Sequence, residues 1–168
     1  MVKSILRQVL SAVSFLHRTG VCHRNITIDS VHMNEKGDVK LTDFSHCINY
    51  LAENPVTPCG SVEVMAPEMA ANISMTSKSD DYNLDSLLYY GNVEYDTKAD
   101  IWNIGALCYR LLYGVNISYK DPDSPMPIIP VTNFVTSDAI NFMCACLNKC
   151  SLYRPDADTL LTSKWLLT

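Results

Sequence analysis

At 168 residues the chain is long enough for one domain with a real core, and 48% apolar residues fit a globular protein. A net charge of −5 offers no basic face for nucleic acid, and no apolar run approaches the roughly 18 residues of a membrane span. Seven cysteines, an odd number in a chain whose N-terminus reads without a signal peptide, are expected as reduced thiols in a cytoplasmic or nuclear protein.

From Ser4 to His17 the apolar residues Ile5, Leu6, Val9, Leu10, Val13 and Leu16 follow the spacing of an amphipathic helix that ends at Gly20. Val31–Met33 and Val39–Thr42 alternate as two short strands around a turn at Gly37. Ser45 to Val64 is polar and irregular. The span Tyr95–Gly114 is apolar nearly all round, with Ile101, Trp102, Ile104, Leu107, Leu111 and Leu112, which predicts a helix buried on every side. Residues 115–132 carry Pro122, Pro125, Pro127 and Pro130 and show little periodicity. Ser137–Lys149 is predicted as a helix capped by Ser137 or Thr136, with Ala139, Ile140, Phe142, Met143 and Leu147 inward, and Asp156–Leu166 as the last one. Cys144, Cys146 and Cys150 fall in this apolar pattern with no histidine nearby, so they read as small buried residues rather than zinc ligands. The fold class expected is mainly α with a small β-hairpin.

Four short motifs stand in one order. His23-Arg24-Asn25 precedes Ser30; Asp43-Phe44-Ser45 follows the second strand; Met65-Ala66-Pro67-Glu68 comes next; and Asp100-Ile101-Trp102 with Gly105 leads on to Arg154-Pro155. This order resembles the eukaryotic protein kinases, whose catalytic loop is H-R-D-L-x-x-x-N, followed by D-F-G and A-P-E. The resemblance implies the large lobe of the kinase fold. The first helix would carry the catalytic loop, the hairpin would join the catalytic and metal loops, and Tyr95–Gly114 would be the central post. It leaves the small lobe without a counterpart: a Gly-rich loop, a strand-borne lysine and that lysine's partner glutamate are missing. The expectation is therefore a single domain, 1–168, with the N-terminal lobe absent. Residues 72–96 exceed the family's usual spacing and read as an inserted surface loop, with Tyr82, Leu84, Leu87, Leu88, Tyr89 and Tyr90 as docking candidates.

Set against the family pattern, the reaction positions are altered. The proton acceptor is Asn25 instead of an aspartate, and a neutral amide cannot take a hydroxyl proton at pH 7. The lysine two residues on is Thr27, and the asparagine that holds a second magnesium is Ser30. Asp43, the metal-binding acid, remains, so weak binding of ATP with magnesium stays open although no cofactor is required. Ser45 replaces the glycine of the metal loop, where a side chain disfavours positive φ. The nucleotide-facing positions implied are His32 and Thr42; at His32 the family usually places a leucine or similar residue beneath the adenine ring, and an imidazole makes a poor apolar floor.

Other positions carry structural roles in the family. Asp100 would accept backbone N–H groups of the loop at His23 and Arg24, with His23 and Phe44 as lower members of a stacked internal column. Glu68 and Arg154 would form a buried ion pair, whose loss of one partner costs about 3–5 kcal/mol. Thr57, in the run Thr57–Glu63 that resembles the cyclic-nucleotide-dependent and calcium/calmodulin-dependent groups, is a candidate phosphosite that could pair with Arg24. Scaffold kept and reaction centre altered together imply a pseudokinase, a scaffold or regulatory module for a protein partner such as another kinase or signalling protein, with no nucleic acid or membrane involved. The alternative is a weak or assisted Ser/Thr kinase whose N-terminal lobe lies outside this chain. The hairpin face with Val31, Met33 and Leu41 is expected to be exposed and to drive self-association.

Overall fold

The computed structural model describes residues 1–53, 55–70, 95–117 and 127–168, and among these the chain is mainly helical with two small antiparallel strand pairs. Helix α1 (Val2–Arg18) runs slightly beyond its predicted span. Its apolar positions Ile5, Leu6, Val9, Leu10 and Val13 turn inward at helical spacing. Strand β1 (Val21–Cys22) follows, then β2 (Val31–Met33) and β3 (Val39–Leu41), then β4 (Ile48–Asn49). β1 pairs with β4, and β2 with β3 in the register Val31–Leu41 and Met33–Val39.

Gln8 of α1 fixes the hairpin. Its Nε2 donates to the Gly37 carbonyl (3.0 Å) and its Oε1 accepts the Val39 N–H (2.9 Å). Val31, Val39 and Leu41 consequently pack on the core and are half-buried, which corrects the expectation of an open face there; Met33 alone of the three residues expected stays well exposed.

Helix α2 (Lys98–Tyr113) is the centre of the molecule, buried without a break from Ala99 to Tyr109 and packed on α1 and on α3 (Ser137–Cys146). Tyr95, predicted inside this helix, lies in the loop before it yet is only 5% exposed. The Thr136 hydroxyl caps α3 by accepting the Ala139 N–H (3.3 Å). Of the three clustered cysteines only Cys146 is core; Cys144 is half-buried, and Cys150 lies past the helix end, exposed. Among the described residues no group of three or more metal-ligating side chains comes together.

The last predicted helix is two. In α4 (Ala157–Leu161) the Asp156 carboxylate accepts the Thr159 N–H (2.7 Å), and α5 (Lys164–Leu167) restarts after Ser163, whose backbone is extended. The break at Thr162-Ser163, residues that compete with the helix for backbone hydrogen bonds, lets Trp165 and Leu166 both reach the core. There Trp165 tilts against Phe142 (5.1 Å), and Arg7 of α1 donates to the Leu166 carbonyl. None of the described helices is long and apolar enough to cross a membrane. The insertion expected over 72–96, with its docking candidates from Tyr82 to Tyr90, lies outside the described residues apart from Tyr95 and Asp96.

Candidate functional site

The loop after β1 is held from below by α2. Asp100, in its first turn, is fully buried; Oδ2 accepts the His23 N–H (2.8 Å) and Oδ1 the Arg24 N–H (2.7 Å), and His17 of α1 donates through Nε2 to Oδ2 (2.8 Å). Burial pushes this carboxyl up, but the His17 imidazole and the two backbone donors outweigh it, leaving Asp100 below its ordinary value and ionised. One turn further along α2, Asn103 accepts the Ile26 N–H (3.2 Å) and donates to the Val64 carbonyl (2.7 Å). These bonds hold Arg24 at φ +68, a left-handed backbone that an L-residue keeps only when its surroundings enforce it.

The three reaction positions point into this framework. Asn25 donates its N–H to His23 Nδ1 (3.3 Å) and accepts the Ser61 N–H on its Oδ1 (3.0 Å); it is 8% exposed. Thr27 accepts the Asp29 N–H (3.2 Å). Ser30 accepts the Thr27 N–H (3.0 Å) and donates to the Thr27 carbonyl (3.1 Å), with 1% exposure. Its hydroxyl therefore serves the loop itself and is not presented as a ligand. Thr42 is tied in the same way: its N–H and its hydroxyl both donate to the Ser30 carbonyl (2.8 and 3.2 Å), while its own carbonyl accepts from His23 Nε2 (2.9 Å). With both ring nitrogens engaged, His23 is fixed in orientation, and Phe44 lies against it (5.2 Å between rings) while staying half-exposed.

Asp43 stands apart, fully exposed. The Ser45 hydroxyl donates to its Oδ1 (2.6 Å), and this bond holds the carboxyl below its usual range. The left-handed backbone in this turn belongs to Asp43 (φ +58), with Ser45 inside the short helical turn Phe44–His46. Ser45 is thus accommodated without positive φ. Its effect is to occupy one oxygen of the acid. His32 lies exposed on β2, opposite Lys40.

This donor set does not fit a two-magnesium nucleotide site. Among Asn25, Thr27, Ser30 and Asp43 there is one charge, the Ser30 oxygen is buried, and half of the Asp43 carboxylate is already bonded.

Above the loop, residues 55–68 are fastened at several points. Arg24 donates from Nη1 to the Tyr95 hydroxyl (2.8 Å) and from Nε to the His46 carbonyl; Tyr95 donates its hydroxyl to the Thr57 carbonyl (2.6 Å). Thr57 itself is exposed, and the Arg24 guanidinium engages a phenol beneath it. Gly60 takes φ +85, and a Cβ there would sit 2.9 Å from the Arg24 carbonyl oxygen and 3.0 Å from Asn25 Oδ1, so only glycine lets the two loops approach this closely. Glu68 meets Arg154 through two bonds (2.6 and 2.8 Å). Arg154, 2% exposed, also donates to the carbonyls of Asn148, Lys98 and Lys149 and stacks over Trp102 (5.1 Å), so the buried guanidinium is fully satisfied.

Three side chains that hold the site were not found from the sequence: His17, Asn103 and Tyr95. Asn103 carried a usable signal, a polar amide inside an apolar helix one turn after Asp100. His17 and Tyr95 carried none, since one reads as a last-turn basic residue and the other as part of an apolar run.

A family model for the protein kinase domain matches residues 1–166. Curated relatives include the hormonally up-regulated neu tumor-associated kinase of Mus musculus and of Homo sapiens, each 29% identical over 96% of this chain, and the serine/threonine-protein kinase CST20 of Candida albicans, 27% identical over 96%. The chain spans 22% of the length of the first two and 12% of the third. With nearly its whole length matched and Ser/Thr kinases among its relatives, the chain belongs to the protein kinase domain family.

Proposed function

We propose that the chain is a large-lobe kinase fold that no longer transfers phosphate efficiently and acts as a scaffold or regulatory binding module. The observation that carries this is the engagement of Asn25, Thr27 and Ser30 by the loop and by the segment above it. Phosphoryl transfer needs an acceptor for the hydroxyl proton, a cation on the phosphates and metal ligands; a positioned general base alone contributes about 10²–10⁴ in rate. The three side chains supply none of these and instead stiffen the platform. The partner is a protein, with the exposed apolar side chains Ile28, Met33 and Phe44 on the loop and hairpin surface as its contact, either for another signalling protein or for a second copy of this chain. A weak or assisted Ser/Thr kinase is the second possibility, favoured by Asp43, an exposed ionised acid in the metal loop.

The deciding experiment is phosphate transfer to a Ser/Thr peptide by the unmodified chain and by Asn25→Asp, alongside melting curves with ATP in the presence and absence of magnesium. Both proteins are expected to be inactive, because restoring the acid leaves Thr27 and Ser30 unchanged, and magnesium with ATP is expected to leave the melting temperature where it was. Robust transfer by the unmodified chain would sink the proposal. Light scattering on the same samples separates a second copy from a different protein as the occupant.

A further inference from the structure

Among the described residues, three hydrogen bonds tie segment 55–61 to groups from elsewhere in the chain. The Tyr95 N–H donates to the Pro55 carbonyl (3.2 Å), the Tyr95 hydroxyl donates to the Thr57 carbonyl (2.6 Å), and the Ser61 N–H donates to Asn25 Oδ1 (3.0 Å). Two of the three come from one residue. The same hydroxyl accepts from Arg24 Nη1 (2.8 Å), and Arg24 in turn donates to the His46 carbonyl, so Tyr95 joins the segment to both loops below it.

We propose that Tyr95 is a built-in clamp that holds segment 55–61 in its docked shape without any phosphate on Thr57. A phosphate on an activation segment works by giving a cationic side chain an acceptor and so ordering the chain around it. Here the acceptor role toward Arg24 is filled by a neutral phenol that is 5% exposed, and the same oxygen's hydrogen is delivered to the backbone carbonyl of Thr57. A phenol can do both because its hydroxyl is donor and acceptor at once, and Tyr95 has the position for each. Burial pushes its pKa up to about 12, so the donor persists at all physiological pH values. The clamp makes the face formed by Pro58 to Val64 a permanent feature of the unmodified chain. It does not depend on whether the loop transfers phosphate.

The test is amide hydrogen exchange on phosphatase-treated protein, comparing the unmodified chain, Tyr95→Phe, Thr57→Ala and, as a control, Tyr153→Phe at an exposed tyrosine. The expected result is protection of the Ser61 amide, which donates to Asn25 Oδ1, in the treated parent. Tyr95→Phe should raise its exchange roughly tenfold, as loosening of the segment beside that bond does, with α1 and α2 unchanged; Thr57→Ala and Tyr153→Phe should leave it as it was. Protection that disappears on phosphatase treatment, or a Tyr95→Phe chain that exchanges like the parent, would overturn the clamp. Should Tyr95→Phe unfold as a whole, a difluorotyrosine at position 95 keeps the size and lowers the phenol pKa. Opening of the segment alone at mildly alkaline pH in that chain supports the clamp, and unchanged protection refutes it.

Discussion

Asp100 accepts three donors with two oxygens at complete burial, two of them backbone N–H groups of a loop that has no water to turn to. Asp100→Ala strands those N–H groups and leaves His17 facing a void. At about 1–3 kcal/mol for each buried donor left unpaired, the loss is expected at about 3–5 kcal/mol, read by urea denaturation, with faster exchange of the His23 and Arg24 amides. A loss below about 1 kcal/mol would mean that Asn103 and β1 hold the loop by themselves. An acid in the first turn of an otherwise apolar helix is legible in sequence, because burial obliges it to find donors. Its third donor is not: His17 is 83 positions away, and only the packing of α1 against α2 brings the two together. The reaction positions were legible in kind but not in posture. That Asn25 lacks a carboxylate follows from its letter, whereas its bond to Ser61 depends on how closely the Gly60 turn approaches.

At the scale of elements, periodicity served where one face is wet and failed where none is. α1 alternates between core and solvent, and its pattern located it to within two residues at its N-terminal end. α2 is buried all round, so its pattern could mark a helix but could not say which residue meets which neighbour. That information sits in Gly105. A Cβ there would lie 2.7 Å from Cys146 Cβ and 2.7 Å from Leu147 Cγ, so the glycine sets how closely α2 and α3 pack. Gly105→Ala gains intrinsic helix propensity, worth about 1 kcal/mol, yet forces the helices apart, which typically costs about 1–3 kcal/mol. Overpacking is expected to win, seen as a lower melting temperature, and the two changes in a Gly105→Ala/Leu147→Ala cycle should be non-additive in the rescuing direction. A raised melting temperature for Gly105→Ala would show that α3 can shift freely. The split of the last helix was hidden for a different reason: Thr162 and Ser163 are tolerated within helices, and only the demand that Trp165 and Leu166 both be buried selects the break.

For the molecule as a whole, the thiols tie stability to alkaline pH. Burial raises the pKa of Cys22, Cys108 and Cys146, all 0% exposed, far above the 9.0 of a free thiol, and lifts half-buried Cys47 to about 11. The unfolded chain releases these protons near pH 9 while the folded chain keeps them. Their contribution is thus complete below about 9 and is lost as pH rises toward the folded values, at about 1.4 kcal/mol per pH unit for each fully buried thiol. Tyr95 adds a later loss of the same sign, between the 10.0 of a free phenol and about 12. Urea denaturation under a phosphine reductant should show a plateau ending near pH 9 and a steep fall beyond it, and Cys146→Ala, though weaker at pH 7, should fall less steeply. Stability that stays level from pH 8 to about 10.5 would contradict the burial of these side chains in the folded chain. The prediction cannot be assembled from any one residue, because the slope is the number of thiols that a single core, built around α2, keeps from water together.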